Sequence, residues 1–335
     1  MAKKDTRIAV LGDGGWGTTL ALLLADKGFR VSLWGFFPAY IDQMRRSREN
    51  KKFLPGFKLP KKLALTSSLK EVLQTSDILV LAVPAQHLRG VLVRLKKERA
   101  SGKKYVIVGK GIETSSLKTL SQILKEILGN VPVAVVSGPN IAREVALKVP
   151  GAASVASRHA GFASQVREIF ETKTFRLFES PDVAGVELGG ALKNVIAIGS
   201  GITEGMGYGD NTRAVFFARG VAEMARLGKK LGAKRETFMG LSGLGDLATT
   251  SMSPHSRNHR LGIEIGKGKK LAQILKQTEM VVEGVETARS AQRLSVKYRV
   301  SMPICETVYK ILFKNENPHR LIDALWKGGS QKEAD

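Results

Sequence analysis

The sequence predicts an α/β protein in which a doubly wound parallel sheet at the N-terminus is followed by a mainly α-helical C-terminal domain. A short apolar run, Ile8–Leu11, leads into a glycine-rich turn and a helical pattern. Strand and helix patterns then alternate up to about residue 180, as is typical of parallel sheets. Long helical patterns with few strand signals follow. We therefore expect a first domain over 1–180 and a second over 181–335.

The turn after the first predicted strand carries the motif G-x-G-x-x-G at Gly12, Gly14 and Gly17. Such glycines allow a tight turn, close approach of the backbone to a pyrophosphate, and close packing of helix on strand. The N-terminus of the following helix offers N–H groups and the positive end of its dipole to phosphates. Because the motif follows a strand and opens a helix, it predicts a Rossmann-type dinucleotide site rather than an ordinary turn.

The rest of the first domain continues the alternation. Predicted strands cover Arg30–Trp34, Asp77–Pro84, Tyr105–Val108, Val131–Pro139, Ala152–Ser157 and Phe175–Phe178. Predicted helices cover Leu20–Ala25, 39–49, Leu69–Gln74, Gln86–Arg99 and Leu117–Leu128. Ligands bind beyond the carboxyl ends of the strands in such sheets, so we expect functional residues to follow the strands.

The composition indicates a protein without disulfides or membrane spans. Cys305 is the single cysteine, which fits a reducing compartment and predicts a cytoplasmic location. No apolar run approaches the length of a membrane helix, so we expect no membrane insertion. Cysteine and histidine residues form no cluster at the spacing of a zinc site, and the five histidines are scattered, so we expect no metal site.

The net charge of +23 admits two interpretations. It is compatible with a nucleic-acid-binding surface, and equally with a lysine-rich solvated surface that steers an anionic small molecule. The densest basic runs, 45–52 and 94–104, contain no aromatic residues on which bases would stack. We therefore expect no nucleic-acid partner.

The end of the second predicted strand leaves the cofactor open. Rossmann-type proteins usually place an acidic residue there to hold the ribose 2′-hydroxyl of NAD. Here the positions are Trp34, Gly35, Phe36 and Phe37, which include neither an acid nor a cation. The local sequence therefore predicts neither strict NAD nor strict NADP specificity.

Two lysines and an aspartate are candidates for chemistry. Lys110 lies between two glycines directly after a predicted strand. It is either a cation that binds an anionic or carbonyl substrate or a solvated charge in a loop. Lys193 interrupts an apolar helical pattern, where burial would lower its pKa and make it a proton donor near neutral pH. The alternative is a lysine whose stem covers apolar surface while its head reaches water. Asp246 ends a glycine-rich loop and would orient a lysine or cap a helix.

Further along the chain, Ser256, Arg257 and Asn258 place a planar cation beside an amide. This combination suits a phosphate dianion, although such triplets are common on protein surfaces. Glu283 opens another helical pattern and would accept hydrogen bonds from a ribose or cap the helix.

Together these motifs resemble those of the NAD(P)-dependent glycerol-3-phosphate dehydrogenases of the bacterial type. In the first half they are Gly12-x-Gly14-x-Trp16-Gly17-Thr18, Asn50-x-x-Phe-Leu-Pro-Gly56, Ala82-Val-Pro84, Gly109-Lys110-Gly111 and Ser137-Gly138-Pro139. In the second half they are Leu192-Lys193-Asn194, Gly209-Asp-Asn-Thr212, Gly243-Leu-Gly-Asp-Leu247, Ser256-Arg-Asn258 and Val282-Glu-Gly284. Each motif is short, but the ordered set spans nearly the whole chain and is specific.

The resemblance implies reversible reduction of dihydroxyacetone phosphate to sn-glycerol 3-phosphate with NAD or NADP, feeding glycerophospholipid synthesis, in a homodimer. It implies that Lys193 is the general acid, and the base in the reverse direction. Lys110 would contact cofactor and substrate, and Asp246 would hold Lys193 and the substrate hydroxyls. Implied substrate contacts also include Gly138, Asn140, Ser256, Arg257 and Asn258. Implied cofactor contacts are Gly12, Gly14, Gly15, Trp16, Gly17, Phe36, Lys110, Ala142, Arg257, Val281 and Glu283.

Two positions depart from the family pattern, and two other classes of protein remain as alternatives. Asn140 stands where the family usually has serine, and Phe36 where relatives often carry arginine or histidine. Another two-domain dehydrogenase, of the 6-phosphogluconate or hydroxyacyl-CoA type, would share the fold. A non-catalytic dinucleotide-sensing or nucleic-acid-binding protein on the same scaffold gives no reason for Lys110, Lys193 and Asp246 to occur together.

Overall fold

The computed structural model describes residues 5–98, 102–277 and 280–327. The chain divides into two compact units. The first comprises the chain up to Gly109 together with Leu120–Val183, and the second comprises Lys110–Thr119 together with the chain from Ala184 onward. The short segment that contains Lys110 therefore belongs to the second unit, although the first unit continues after it.

The described part of the first unit is built on one sheet of eight strands in the order β3-β2-β1-β4-β5-β6-β7-β8. The strands are β1 (Arg7–Leu11), β2 (Arg30–Trp34), β3 (Ala64–Thr66), β4 (Ile78–Leu81), β5 (Lys104–Ile107), β6 (Val133–Ser137), β7 (Gly151–Ser157) and β8 (Phe175–Ser180). The order of β1 to β6, with all of their pairs parallel, is the Rossmann order. The central strands are apolar because the sheet is buried on both faces there, as the consecutive buried residues Leu79 and Val80 of β4 show.

In the described residues, seven helices connect these strands. They are α1 (Gly15–Asp26), α2 (Pro38–Ser47), α3 (Leu69–Thr75), α4 (Ala85–Lys97), α5 (Leu120–Leu128), α6 (Ala142–Ala146) and α7 (Phe162–Phe170). The predicted α/β class with a Rossmann-type sheet is confirmed.

The sheet differs from the prediction in two details. The pair of β6 with β7 is antiparallel, not parallel. Only the five-residue α6 lies in the connection between these two strands, and the chain turns back along its neighbour. In addition β3, only three residues long, pairs with β2 at the edge of the sheet, and its length gives too few positions for a recognisable pattern.

The second unit is mainly helical in its described residues. Its helices are α8 (Val183–Gly205), α9 (Asp210–Lys230), α10 (Arg235–Met239), α11 (Asp246–Met252), α12 (Arg257–Gly266), α13 (Leu271–Lys276), α14 (Glu283–Tyr298), α15 (Pro303–Lys314) and α16 (Arg320–Lys327). A single π-helical turn, Leu241–Gly245, precedes α11. None of the helices in the described ranges is long and apolar enough to cross a membrane.

Helix α8 runs through the core of this unit, and small residues allow α12 to pack directly on it. A β-carbon placed on Gly201 would lie 2.2 Å from the carbonyl oxygen of His259. One placed on Gly205 would lie 2.3 Å from that of Ile263. Two of the glycines that crowd this part of the sequence therefore serve close helix packing, which fixes the start of α12 relative to Lys193 on α8.

Candidate active site

The glycine turn of the first unit has the geometry that its motif predicts. Gly12 has a φ of 116°, and a β-carbon there would lie 2.5 Å from the carbonyl oxygen of Ala82. A β-carbon on Gly17 would lie 1.9 Å from the carbonyl oxygen of Gly12. Both positions therefore exclude a side chain, because the turn packs between β4 and the first turn of α1.

The N-terminus of α1 has the features of a phosphate-binding site. Gly14 is its N-cap residue, no side chain caps the helix, and a β-carbon on Gly14 would have no atom within 4 Å. The first turn of α1 therefore has no side-chain cap, and open space lies beside Gly14. A pyrophosphate fits this cradle sterically and electrostatically. The residues present thus fit a nicotinamide dinucleotide.

Asn50 holds the turn in place, a role that sequence reasoning did not assign to it individually. The side chain is buried, and its Nδ2 donates to the carbonyl oxygen of Asp13 and to Oγ1 of Thr18, each at 2.7 Å. Its Oδ1 accepts from the hydroxyl of Tyr40 at 2.6 Å and from the N–H of Phe53 at 3.1 Å. Its place in the motif Asn50-x-x-Phe-Leu-Pro-Gly56 was its only signal in the sequence, since Asp13, Thr18 and Tyr40 lie further away along the chain.

The other predicted cofactor residues of the first unit lie around this turn or close to strand ends. Trp16 makes an edge-to-face contact with Phe175, with ring centroids 6.1 Å apart. The carbonyl oxygen of Ala142, the first residue of α6, accepts from Oγ1 of Thr19 at 3.0 Å, so α6 packs on α1. Phe36 follows β2 and is 55% exposed.

Gly138 and Asn140 follow the carboxyl end of β6. A β-carbon on Gly138 would lie 2.7 Å from Cα of Ala153 on β7. Close approach of the antiparallel strand β7 therefore explains this glycine, independently of any substrate. Asn140 lies between this glycine and α6, in the turn that leads away from the sheet.

The second unit gathers the three residues that were candidates for chemistry. Nζ of Lys110 lies 2.7 Å from Oδ2 of Asp246, and Nζ of Lys193 lies 3.0 Å from Oδ1 of the same carboxylate. The hydroxyl of Thr250 accepts from Lys193 and donates to Oδ1 of Asp246 at 3.3 Å. Two ammonium groups thus share one carboxylate, and the three groups carry a net positive charge when all are ionised.

Burial and neighbouring charges give Lys193 an unusual pKa. The side chain is buried, which penalises the ammonium form and lowers its pKa to about 8. The charge of Asp246 acts in the opposite direction, whereas the cations of Lys110 and Arg257 lower the pKa further. A lysine in this state exchanges a proton near neutral pH. The alternative of a lysine whose head reaches water does not hold.

The start of α12 carries the predicted phosphate residues, and they differ in how their side chains are used. Nη1 of Arg257 donates to the carbonyl oxygen of Val281 at 2.7 Å, while burial lowers its pKa and the charge of Glu283 opposes this. Oγ of Ser256 caps the helix by accepting from the N–H of His259 at 3.2 Å. The amide of Asn258 bonds to Asn194 at 2.9 Å and to the N–H of Gly284 at 3.0 Å.

Thr250 and Asn194 are polar partners in this cluster that sequence reasoning did not single out. Thr250 follows Asp246 by four residues on α11 and therefore lies on the same helix face. That spacing was a usable signal for Thr250. Asn194 follows Lys193, but its partner Asn258 is 64 residues away, and no local pattern indicates the pair. Within the described ranges, no three His, Cys, Asp or Glu side chains gather as metal ligands.

Comparisons with known proteins agree with this architecture. The family model described as NAD-dependent glycerol-3-phosphate dehydrogenase N-terminus matches residues 7–163, and the corresponding C-terminus model matches 182–323. A relative from Syntrophomonas wolfei, named as an NAD(P)+ glycerol-3-phosphate dehydrogenase, is 45% identical over 330 residues, covering 98% of this chain and 96% of its own length. One of the same name from Geobacter sulfurreducens is 46% identical, covering 95% and 96%.

A solved structure shows the same fold over nearly the full length of the chain. The glycerol-3-phosphate dehydrogenase of Coxiella burnetii superposes with a TM-score of 0.93 at 34% identity, covering 97% of this chain and 99% of that chain. The D-mandelate dehydrogenase complex with NADH and anilino(oxo)acetate, at 15% identity and a TM-score of 0.61, shares the fold alone.

The dinucleotide cradle and the lysine–aspartate cluster, on a Rossmann-type sheet and a helical second unit, define a nicotinamide-dependent oxidoreductase. Other dehydrogenases share this architecture, so the class alone does not give the substrate. Two family models and relatives at 45% and 46% identity do so at the level of the family. The chain belongs to the NAD-dependent glycerol-3-phosphate dehydrogenase family, and the resemblance seen in its motifs is confirmed.

Proposed function

We propose that the protein catalyses the reversible reduction of dihydroxyacetone phosphate to sn-glycerol 3-phosphate, with NADH or NADPH as the hydride donor. The name of the family and of its curated relatives supports this activity. The observation that carries the proposal is the sharing of the Asp246 carboxylate by Lys110 and Lys193 inside the helical unit. This arrangement provides a proton donor and a cation for a phosphorylated ketone.

The proton for the reaction comes from Lys193 in this proposal. When bound, the reduced nicotinamide supplies a hydride to the carbonyl carbon. Lys193 donates a proton from Nζ to the carbonyl oxygen, so the ketone becomes a secondary alcohol and the lysine becomes neutral. Asp246 and Thr250 support this role because they hold Nζ in one position. In the reverse direction the neutral Lys193 accepts the hydroxyl proton.

The phosphate group requires a cation, and Arg257 is the residue best suited to it. Its guanidinium lies at the start of α12, where the N-terminal end of the helix dipole also favours an anion. We propose that Ser256 and Asn258 also contact the phosphate beside Arg257, and their hydrogen bonds to protein groups support this by fixing the start of α12. Lys110 adds a second cation, which would contact substrate and cofactor.

The remaining site assignments stay predictions. We propose that Gly12, Gly14, Gly15, Trp16, Gly17, Phe36 and Ala142 line the dinucleotide, that Val281 and Glu283 contribute to it, and that Gly138 and Asn140 contact substrate. We also propose that the enzyme acts as a homodimer in the cytoplasm and supplies the backbone of glycerophospholipids. These proposals rest on the resemblance of the motifs.

The test is oxidation of NADH and of NADPH, measured in parallel by their absorbance, with dihydroxyacetone phosphate. Turnover with either cofactor, abolished when unphosphorylated dihydroxyacetone replaces the substrate, is the expected result. A folded protein that binds dinucleotide but turns over neither mixture would contradict the substrate. Such a protein would then be assayed as a 6-phosphogluconate or hydroxyacyl-CoA dehydrogenase.

A further inference from the structure

The carboxyl end of β2 lacks the usual acidic residue, but the structure brings a carboxylate to it from the glycine turn. In Rossmann-type proteins an Asp or Glu about 20 residues after the motif binds the ribose 2′-hydroxyl of NAD. In this chain the residue after β2 is Gly35, which has no side chain. The side chain of Asp13, between Gly12 and Gly14 of the turn, lies against this position.

The position of Asp13 is defined by distances within the first unit. A β-carbon placed on Gly35 would lie 2.6 Å from Oδ2 of Asp13 and 2.8 Å from its Cγ. The carboxylate thus fills the space in which a side chain at position 35 would begin. The backbone of Asp13 is held there, since its carbonyl oxygen accepts from Nδ2 of Asn50 at 2.7 Å and from Oγ1 of Thr18 at 3.3 Å.

The carboxylate of Asp13 has an unused acceptor. Its Oδ2 is buried, and no hydrogen-bond donor in the described part of the chain reaches it. Burial raises the pKa of this carboxyl group, while a hydrogen bond from the backbone of Asp13 itself and the charge of Lys52 act against that rise. A buried oxygen without a donor is costly, and a hydroxyl donor from a ligand would relieve the cost.

A cation, which would attract a phosphate group, lies at the same end of β2. The guanidinium of Arg94, on α4, lies 5.5 Å from the ring centroid of Phe36 and 6.0 Å from that of Trp34. Stacking on these rings holds an exposed arginine beside the residues that follow β2. A guanidinium attracts phosphate, whereas a carboxylate repels it.

We propose that Asp13 sets the cofactor preference of this enzyme by taking the place of the missing acid: its carboxylate accepts the ribose 2′-hydroxyl of NAD(H) and repels the 2′-phosphate of NADP(H). Arg94 opposes it and permits residual binding of NADP(H). Because Oδ2 of Asp13 is buried whereas the guanidinium of Arg94 is exposed and screened by solvent, the carboxylate dominates and the enzyme prefers NAD(H). The inference rests on the dinucleotide site of the proposed function.

The test is the ratio of the Kd of NADPH to that of NADH, measured by isothermal titration calorimetry at one ionic strength. Adenosine 2′,5′-bisphosphate and adenosine 5′-monophosphate serve as probes of the adenosine end alone. In the wild-type protein NADH binds more tightly. D13N lowers this ratio of Kd values about tenfold. This factor corresponds to a pKa shift of about one unit, the smallest that a nearby charge typically causes. R94Q raises it by up to about fivefold, because the arginine is exposed.

Two matched variants control for net charge. D42N removes an acid from α2, and K97Q removes a cation from α4, and both leave the ratio unchanged. Thermal unfolding of each variant verifies the fold. An unchanged ratio in D13N, or a wild-type protein that prefers NADPH, would overturn the inference.

The failure of this inference is distinct from the failure of the proposed function. If the wild-type protein shows the expected ratio but does not reduce dihydroxyacetone phosphate, only the proposed reaction is wrong. If it reduces the ketone and D13N keeps the wild-type ratio, only the inference on Asp13 is wrong. If neither cofactor binds, both are wrong.

Discussion

The glycine turn of the first unit and the lysine–aspartate cluster of the second are built by opposite means. The turn consists of backbone, and its four glycines lie within six residues, from Gly12 to Gly17. The cluster consists of side chains, and its most distant hydrogen-bonded members, Lys110 and Asp246, are 136 residues apart. One site is therefore local in sequence and the other is assembled by the tertiary fold.

This difference determines how each site fails. The turn depends on the absence of atoms, because a β-carbon at Gly17 would enter the space of the carbonyl oxygen of Gly12. The cluster depends on the presence of charges, because Lys193 is buried and relies on Asp246 for compensation. Adding one methyl group should break the turn, and removing one ammonium group should break the cluster.

The loss of the proton donor is expected to have the largest effect on catalysis. In K193A the kcat of dihydroxyacetone phosphate reduction falls at least about 10²-fold, as is typical of a lost general acid. The Kd of NADH stays near the wild-type value. Steady-state kinetics and calorimetry measure the two quantities, and K97A, which removes a surface lysine, serves as the control. Near-normal turnover in K193A would contradict the assigned role.

The turn is tested by two alanine variants that differ only in the space available. In G17A the new β-carbon collides with the backbone, so we expect a loss of about 1–3 kcal/mol in the free energy of unfolding. Dinucleotide affinity falls with it, by up to about 10²-fold, because the phosphate-binding backbone shifts.

G14A separates the two roles of the turn. Its β-carbon meets no protein atom within 4 Å, so stability remains at the wild-type level. NADH binding still weakens, since the methyl group stands where the backbone would approach the pyrophosphate. Denaturant unfolding and calorimetry of both variants give the comparison. Equal behaviour of G14A and G17A in both measurements would show that the space in the turn does not decide its function.

A smaller effect is expected at the phosphate end of the substrate. R257A removes a charge-assisted contact worth about 1.5–3 kcal/mol, so KM for dihydroxyacetone phosphate rises about 10- to 100-fold while kcat changes less. R260A, on the same helix, provides the control for loss of an arginine. If KM is unchanged in R257A, the phosphate binds elsewhere.

The sequence predicted the first unit better than the second for the same physical reason that separates the two sites. Ile8–Leu11 and the glycine spacing are local signals, and β1, the turn and α1 form where they predict. Leu117 was expected to begin a helix, but it has a φ of 60° and α5 begins at Leu120. The domain boundary near residue 180 stays a prediction.

The chemistry of the second unit could be predicted only in part. An apolar pattern around Lys193 indicated burial, but left open whether its head reaches water. Whether Asp246 would meet a lysine or merely cap α11 depends on packing between segments far apart in the sequence. The π-helical turn Leu241–Gly245 that delivers Asp246 has no sequence signature of its own. From the sequence, only the resemblance to the glycerol-3-phosphate dehydrogenases assigned roles to Lys193 and Asp246.

The smallest effects concern the pH at which the cluster works. Reduction needs the charged form of Lys193, and oxidation needs the neutral form. Because the pKa of Lys193 is lowered to about 8, kcat/KM for reduction falls as pH rises through about 8, whereas that for oxidation rises over the same range. Initial rates in both directions from pH 6 to 10 measure the falling limb of the pH profile for reduction and the rising limb of that for oxidation.

Neighbouring charges then shift these limbs in opposite directions. K110M removes a cation that lowers the pKa of Lys193, so its limb moves to higher pH, whereas D246N removes the carboxylate that raises it and moves the limb to lower pH. Each shift is on the order of one pH unit. Both variants also lose rate, so the position of the limb, and not its height, is the quantity compared. Limbs that stay in place while rates fall would show that the cluster orients Lys193 without tuning its proton affinity. The cluster would then resemble the turn, because geometry rather than charge would determine its function.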